Sequence, residues 1–178
     1  MLQKQGQKLN KDSRNKGFSL IELMVVIAIM AVLVGISGIS YVIVGKSNVK
    51  KAAGFIDDAI ADCRQKSMTK TGDWSIRLSD GLVEIIHDGE VVDSTELPSS
   101  VDIYISETDG RLSGTQIGQD YASATISFKT LSGEVKSVEP SDIKGDGTCC
   151  YIMCRYKDKK ECTIKLYYST GKHTVAED

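Results

Sequence analysis

Glu22 is the residue whose position most demands a chemical explanation. It stands five positions after Gly17 in KGFSLIELMVVIAIMAVLVGISGISYVIVG (16–45), and no residue from Leu23 to Gly45 is charged. An unpaired carboxylate on a segment suited to hydrocarbon costs several kcal/mol, so it calls for a cationic partner. Taken by itself, Glu22 reads equally as an acid at a membrane edge that snorkels to water. Five cysteines form a second group: Cys63, Cys149, Cys150, Cys154 and Cys162. Cys154 and Cys162 face each other across a hairpin if its loop has an odd length. Cys63 can tie to Cys149 or Cys150, closing a long loop for about 3–5 kcal/mol. One thiol is then left over or pairs between subunits.

Metal chemistry finds little to work with. Cys149, Cys150, Cys154 and Cys162 lack the Cys-x2-Cys pairs of a zinc site and have no histidine nearby. Asp142 and Asp146, in DIKGDG, supply too few ligands for a calcium loop. Neither a metal nor another cofactor is expected. The two histidines, His87 and His173, stand alone in the sequence, and there is no nucleophile elbow, phosphate loop or metal-binding helix motif. An enzyme is not expected. Arg155, Lys157, Lys159, Lys160 and Lys165 make a basic cluster that could touch nucleic acid, although Asp158 and Glu161 dilute it. A solvated hairpin tip is the plainer reading.

The elements that would position these groups follow from periodicity. At about 1.5 Å per helical residue the uncharged run is roughly 35 Å long, enough to cross a hydrocarbon core. Gly35, Ser37, Gly38 and Ser40 interrupt it with small residues that either weaken the helix or let helices pack closely. Val49, Ala52, Ala53, Ile56, Ile60 and Cys63 then recur at three- and four-residue spacing, so the helix continues to about Thr69 with one apolar face. Lys66 and Lys70 suit its C-terminus and Gly72 its cap.

Beyond Gly72, alternation and turns replace the helical period. Residues 74–79, 82–87 and 90–94 read as strands joined at Asp80-Gly81 and Asp88-Gly89. Further strands are predicted at 101–106, 124–129 and 134–138, with a loop at 107–123. A last hairpin joins 149–156 to 162–169 across a charged tip, and Thr174-Val175 adds a short strand. The fold class is α+β: a long N-terminal helix, half membrane and half amphipathic, packed on a C-terminal antiparallel β domain.

The stretch KGFSLIELMVVIAI resembles, position by position, the N-terminal signature of type IV prepilins and type II secretion pseudopilins. The resemblance implies cleavage between Gly17 and Phe18 by a prepilin peptidase and N-methylation of the new Phe18 amine. It also implies that Glu22 pairs with the Phe18 amine of a neighbouring subunit during assembly. Two charges that are each costly in lipid offset one another when docked. The implied partners are the peptidase, other pilin or pseudopilin subunits, an inner-membrane assembly platform and the bilayer. Downstream, DCRQKSM, WSIRL, ELPSSVDI, ISFKTLSGEV and TIKLYYSTGKHTV are similar to the H-type minor pseudopilins and the related FimT-like minor pilins. Some of these minor pilins bind DNA, and the pilin-like fold is what the whole resemblance implies.

With 178 residues and a net charge of −2, the chain has room for one membrane element and one modest globular domain. Residues 1–17 read as a basic leader that is cleaved, 18–45 as the membrane and assembly half of the helix, 46–71 as its amphipathic half, and 72–178 as the β domain. Lys4, Lys8, Lys11, Arg14 and Lys16 against the single acid Asp12 keep the N-terminus in the cytoplasm and send the rest across. The location expected is the cytoplasmic membrane, single-pass, and then a pilus or pseudopilus. The alternatives are a signal-anchored or secreted β domain that binds a surface ligand, or a DNA-binding minor pilin for competence. A secretory signal would be cut after the apolar run, at GISGIS (35–40), and would carry no acid at its start.

Overall fold

The computed structural model describes residues 18–106, 114–141, 147–157 and 160–177; of residues 36–43, 160 and 161 it describes the backbone alone. The chain divides into two compact units, Met1–Ser40 and Tyr41–Asp178. Helix α1, Leu20–Thr69, supplies the described part of the first unit and opens the second.

In the second unit, α1 presents Val49, Ala52, Ala53, Ile56, Ile60 and Cys63 to the core, all nearly or fully buried. These are the apolar positions of the 3.6-residue period, so pattern and burial agree. Two antiparallel five-stranded sheets complete the core with α1. The first has β3 (Glu90–Glu96), β2 (Leu82–His87), β1 (Trp74–Ser79), β6 (Ser123–Phe128) and β7 (Val135–Glu139) in that order. The second has β10 (His173–Glu177), β9 (Lys160–Tyr167), β8 (Cys149–Tyr156), β4 (Asp102–Ser106) and β5 (Thr115–Gln116). Ile76 and Leu78 of β1, Ile126 and Phe128 of β6, and Ile152 and Ile164 of the second sheet are among the largest fully buried side chains. Strict alternation along β1 and β6 puts every second residue inside. The α+β architecture expected from the sequence is therefore the one present.

Turn chemistry sets the register. Asp88 and Gly89 both have positive φ, 51° and 87°, as a two-residue hairpin turn requires, and the β2–β3 ladder follows from it. Strand edges differ from the sequence reading in a few places. Thr115 and Gln116, assigned above to a loop, form β5 beside Tyr104 and Ile105. Polar contacts hold this strand: Gln116 N–H donates to Asp120 Oδ2 at 2.8 Å, and the Tyr104 hydroxyl donates to Gln116 Oε1 at 3.0 Å. Hydrophobic alternation carries no trace of such a strand. β9 begins at Lys160 and ends at Tyr167, two residues earlier at each end than the alternation indicates. β10 runs over His173–Glu177, longer than the Thr174-Val175 pair.

The C-terminal end of α1 is a hub for distant turns. Arg64 Nε donates to the carbonyl of Thr170 at 3.0 Å, and Leu131 N–H donates to the carbonyl of Ser67 at 2.9 Å. A side chain at Gly171, whose φ is +62°, would run into the carbonyl of Gly133, so only glycine fits where these two turns meet. At the other end of this helical half, Gly45 lets the Tyr156 ring lie directly on the helix backbone.

Candidate functional site

The first turn of α1 is built by Ser19. Its hydroxyl accepts a hydrogen bond from Glu22 N–H at 3.2 Å, and its carbonyl accepts from Glu22 at 3.0 Å and from Leu23 at 3.2 Å. Ser19 is thus the N-cap, and Glu22 is the third residue of the helix. Ser-x-x-Glu is the spacing of a capping box, a signal the periodicity argument passed over. An acid in the first turn also meets the positive end of the helix dipole. Glu22 is exposed, and so is Phe18 at the head of the segment. Gly17, the residue on the other side of the expected scissile bond, lies outside the described residues, as does the rest of the leader.

Downstream of Glu22, none of the described side chains of the first unit is buried. Leu23, Met24, Val25, Val26, Ile27, Ile29, Met30, Val32, Leu33 and Val34 are all exposed, and consecutive residues point in every direction around the axis. A helix that is apolar all round is one made to be covered by lipid or by other helices. Among the described residues no helix is long and apolar enough to cross a membrane. Described side chains of the uncharged run extend from Leu23 to Gly35 and resume at Val44.

The other predicted groups lie in the second unit. All five cysteines are free, buried thiols in this structure. Three residues separate Tyr156 from Lys160, and that odd number sets Cys154 directly opposite Cys162. Cys63, Cys150, Cys154 and Cys162 belong to the core, whereas Cys149 lies outside it, opposite Tyr167. Burial pushes the Cys63, Cys150 and Cys154 thiols up to about 12, and it raises Cys162 as well. Cys149 hydrogen-bonds the Tyr151 phenol and raises its pKa.

Of the basic cluster, Arg155 and Lys165 share one face of the second sheet. Arg155 is buried with its guanidinium 4.6 Å from the Tyr104 ring centre, and Lys165 lies 5.3 Å and 5.0 Å from the rings of Tyr151 and Tyr167. Lys157 sits in the turn, 5.7 Å from the Tyr156 ring. Lys159, the Lys160 side chain, and Asp142 and Asp146 lie outside the described residues.

The histidines are not isolated as their sequence positions indicate. His87 stacks on Trp74 with ring centres 4.2 Å apart, and its Nε2 lies 3.0 Å from the carbonyl of Thr71. His173 Nε2 meets Asp57 Oδ1 at 3.0 Å, pinning the start of β10 to α1. Sequence reasoning missed this pair and Arg64 alike, since residues so far apart share no local pattern.

A long helix leading into antiparallel sheets, with a capped acid in its first turn, is an α+β arrangement consistent with a pilin-like one. Comparison with known families agrees at the N-terminus: residues 12–38 match the family model for the prokaryotic N-terminal methylation motif, which is type IV prepilin-like. No curated protein and no solved structure matches the chain.

Proposed function

We propose that this protein is a prepilin-like structural subunit, a minor pilin or pseudopilin, assembled into a type IV pilus or a type II secretion pseudopilus. A prepilin peptidase cuts between Gly17 and Phe18 and methylates the new amine. The chain waits as a single-pass protein of the cytoplasmic membrane, N-terminus inside and the β domain outside. During assembly, Glu22 meets the Phe18 amine of a neighbouring subunit, and each charge removes the cost of the other in lipid. The work of the chain is mechanical rather than catalytic.

The observation that carries this reading is the methylation motif at 12–38, which spans both Phe18 and Glu22. It is supported by a first turn that holds Glu22 at the head of an apolar helix whose described side chains are exposed as far as Gly35. The test is the mature N-terminus, by mass spectrometry of protein from its native membrane. A chain beginning at Phe18 and heavier by one methyl group is expected, with Gly17→Ala left uncut. Glu22→Ala should be processed normally and be lost from filaments at least tenfold. A mature end after Gly35 would mean a secreted domain, and an intact Met1 a plain membrane anchor; either ends the subunit reading.

A further inference from the structure

Of the four edge strands in the two sheets, β3 is the longest, with seven residues against five in β7, five in β10 and two in β5. Its register against β2 shifts between Ile85 and Ile86, and Val92 is the extra residue of the resulting bulge. All of β3 except Thr95 is exposed, including Val91 at 47% and Val92 at 50%. Among the described residues no strand lies beyond it. A long exposed edge presents backbone donors and acceptors as a template for pairing with another chain.

Beside this edge, β3 and the second half of α1 enclose a groove of about 220 Å³. Phe55, Val83 and Ile85 give its lining carbon, and Phe55 is left 39% exposed there. Asp58 and Asp93 give it carboxylates, and among the described residues neither has an ion-pair partner. Asp62, also in the lining, is held by Lys66 at 2.6 Å. One oxygen of Asp93 serves the backbone, accepting the Ser94 N–H at 2.8 Å. The groove is smaller than the about 300–1,000 Å³ of small-molecule sites and has room for a single long side chain. Carbon beside two carboxylates fits a hydrocarbon stem with a cationic head, which is the chemistry of lysine and arginine.

Charge also decides what β3 rejects. Glu90, Asp93 and Glu96 are symmetric about Asp93. Antiparallel pairing of two copies about that centre would set Asp93 against Asp93 and Glu90 against Glu96, and like charges directly opposite are destabilising. Parallel pairing in register would set each acid against itself. A second copy is therefore repelled, whereas a strand bearing cations is attracted. Directly opposed residues share a face, so Asp93, opposite the core residue Ile85, lies on the α1 side and Val91, opposite Ile86, on the other. We propose that β3 is a docking edge for an extended segment of a different protein, whether or not the chain is a filament subunit. That segment adds a strand to the first sheet, lays a lysine or arginine side chain in the groove toward Asp58 and Asp93, and sets apolar residues beside Val91.

The test uses the full-length chain in uncharged detergent and a short synthetic peptide of alternating lysine and valine, capped at both ends. Its control is a peptide of the same composition with all the lysines before all the valines, which keeps the charge and loses the alternation. Binding is followed by calorimetry and by amide hydrogen exchange. The alternating peptide is expected to bind saturably, at least tenfold tighter than the control, and to slow exchange within residues 91–95 at least fivefold. Asp58→Asn and Asp93→Asn, both at exposed positions, should each weaken it at least threefold. Equal affinity for the two peptides would mean diffuse attraction to an acidic surface and would overturn the docking edge. Protection confined to other strands, full affinity in the double Asn variant, or no binding at all would overturn it equally. Processing at Gly17 enters none of these readouts, so failure here leaves the subunit reading intact.

Discussion

Ile27 and Ile56 lie on the same helix, and their surroundings are opposites: Ile27 is 59% exposed and Ile56 is fully buried. From Leu23 to Val34 every side of α1 is apolar and every side chain is exposed. From Val49 to Cys63 the buried apolar residues keep to one face, and most of the remaining positions are charged or small. One backbone geometry thus serves two solvents. The first half stores its hydrophobic surface for partners outside the chain, and the second uses its own to found a domain.

The contrast is broken most severely by cutting into the two isoleucines. Ile56→Ala empties a fully buried position of the core and should cost about 2–5 kcal/mol of unfolding free energy. Ile27→Ala should leave the same transition unmoved. Denaturant titration of the detergent-solubilised chain, followed by the fluorescence of Trp74, measures both. An equal effect of the two substitutions would mean that the first half also belongs to the folded core.

A second difference lies in the thiols, all of which are in the second unit. Cys63, Cys150 and Cys154 have folded pKa values of about 12, against an ordinary value of 9.0. A raised value means that the folded state keeps protons the unfolded chain would release. The stabilisation is complete below pH 9 and is lost progressively as the pH rises toward 12. Stability measured from pH 8 to 11 should fall steeply, and Cys63→Ser should flatten the curve. At pH 8 these three thiols should resist alkylation until the domain unfolds.

The smallest expected effect is at the head of the helix. Ser19→Ala removes the hydroxyl that accepts the Glu22 N–H and should cost about 1 kcal/mol of local helix stability. Amide exchange across residues 19–23 should quicken several-fold, with no change in the unfolding of the second unit. Protection that is unchanged would show that lipid or detergent, rather than the cap, orders the first turn.

Several features could be read without a structure because their causes are local. The apolar run, the acid five residues after Gly17, the helical period from Val49 to Cys63 and the Asp-Gly hairpins each depend on neighbours within one or two turns. The Ser-x-x-Glu cap is equally local, but its signal is a polar four-residue spacing that the hydrophobic period does not carry. β5 was not legible, since two polar residues held by Asp120 and Tyr104 leave no alternation to detect. The basic cluster looked like one surface in the sequence, yet Arg155 folds inward over Tyr104 while Lys157 stays in the turn.

The sequence by itself determined the long helix, its apolar first half, the prepilin-like N-terminal motif and an antiparallel β remainder. Those follow from 3.6- and two-residue periods and from turn residues, which act within a few positions of the chain. Only the tertiary structure decided the order of the two sheets, the seat of Arg64 beneath the 168–171 turn, the His173–Asp57 pair and the groove beside Phe55. Each of these joins residues far apart in the chain, and such pairings are selected by the packing of the whole core rather than by any local pattern.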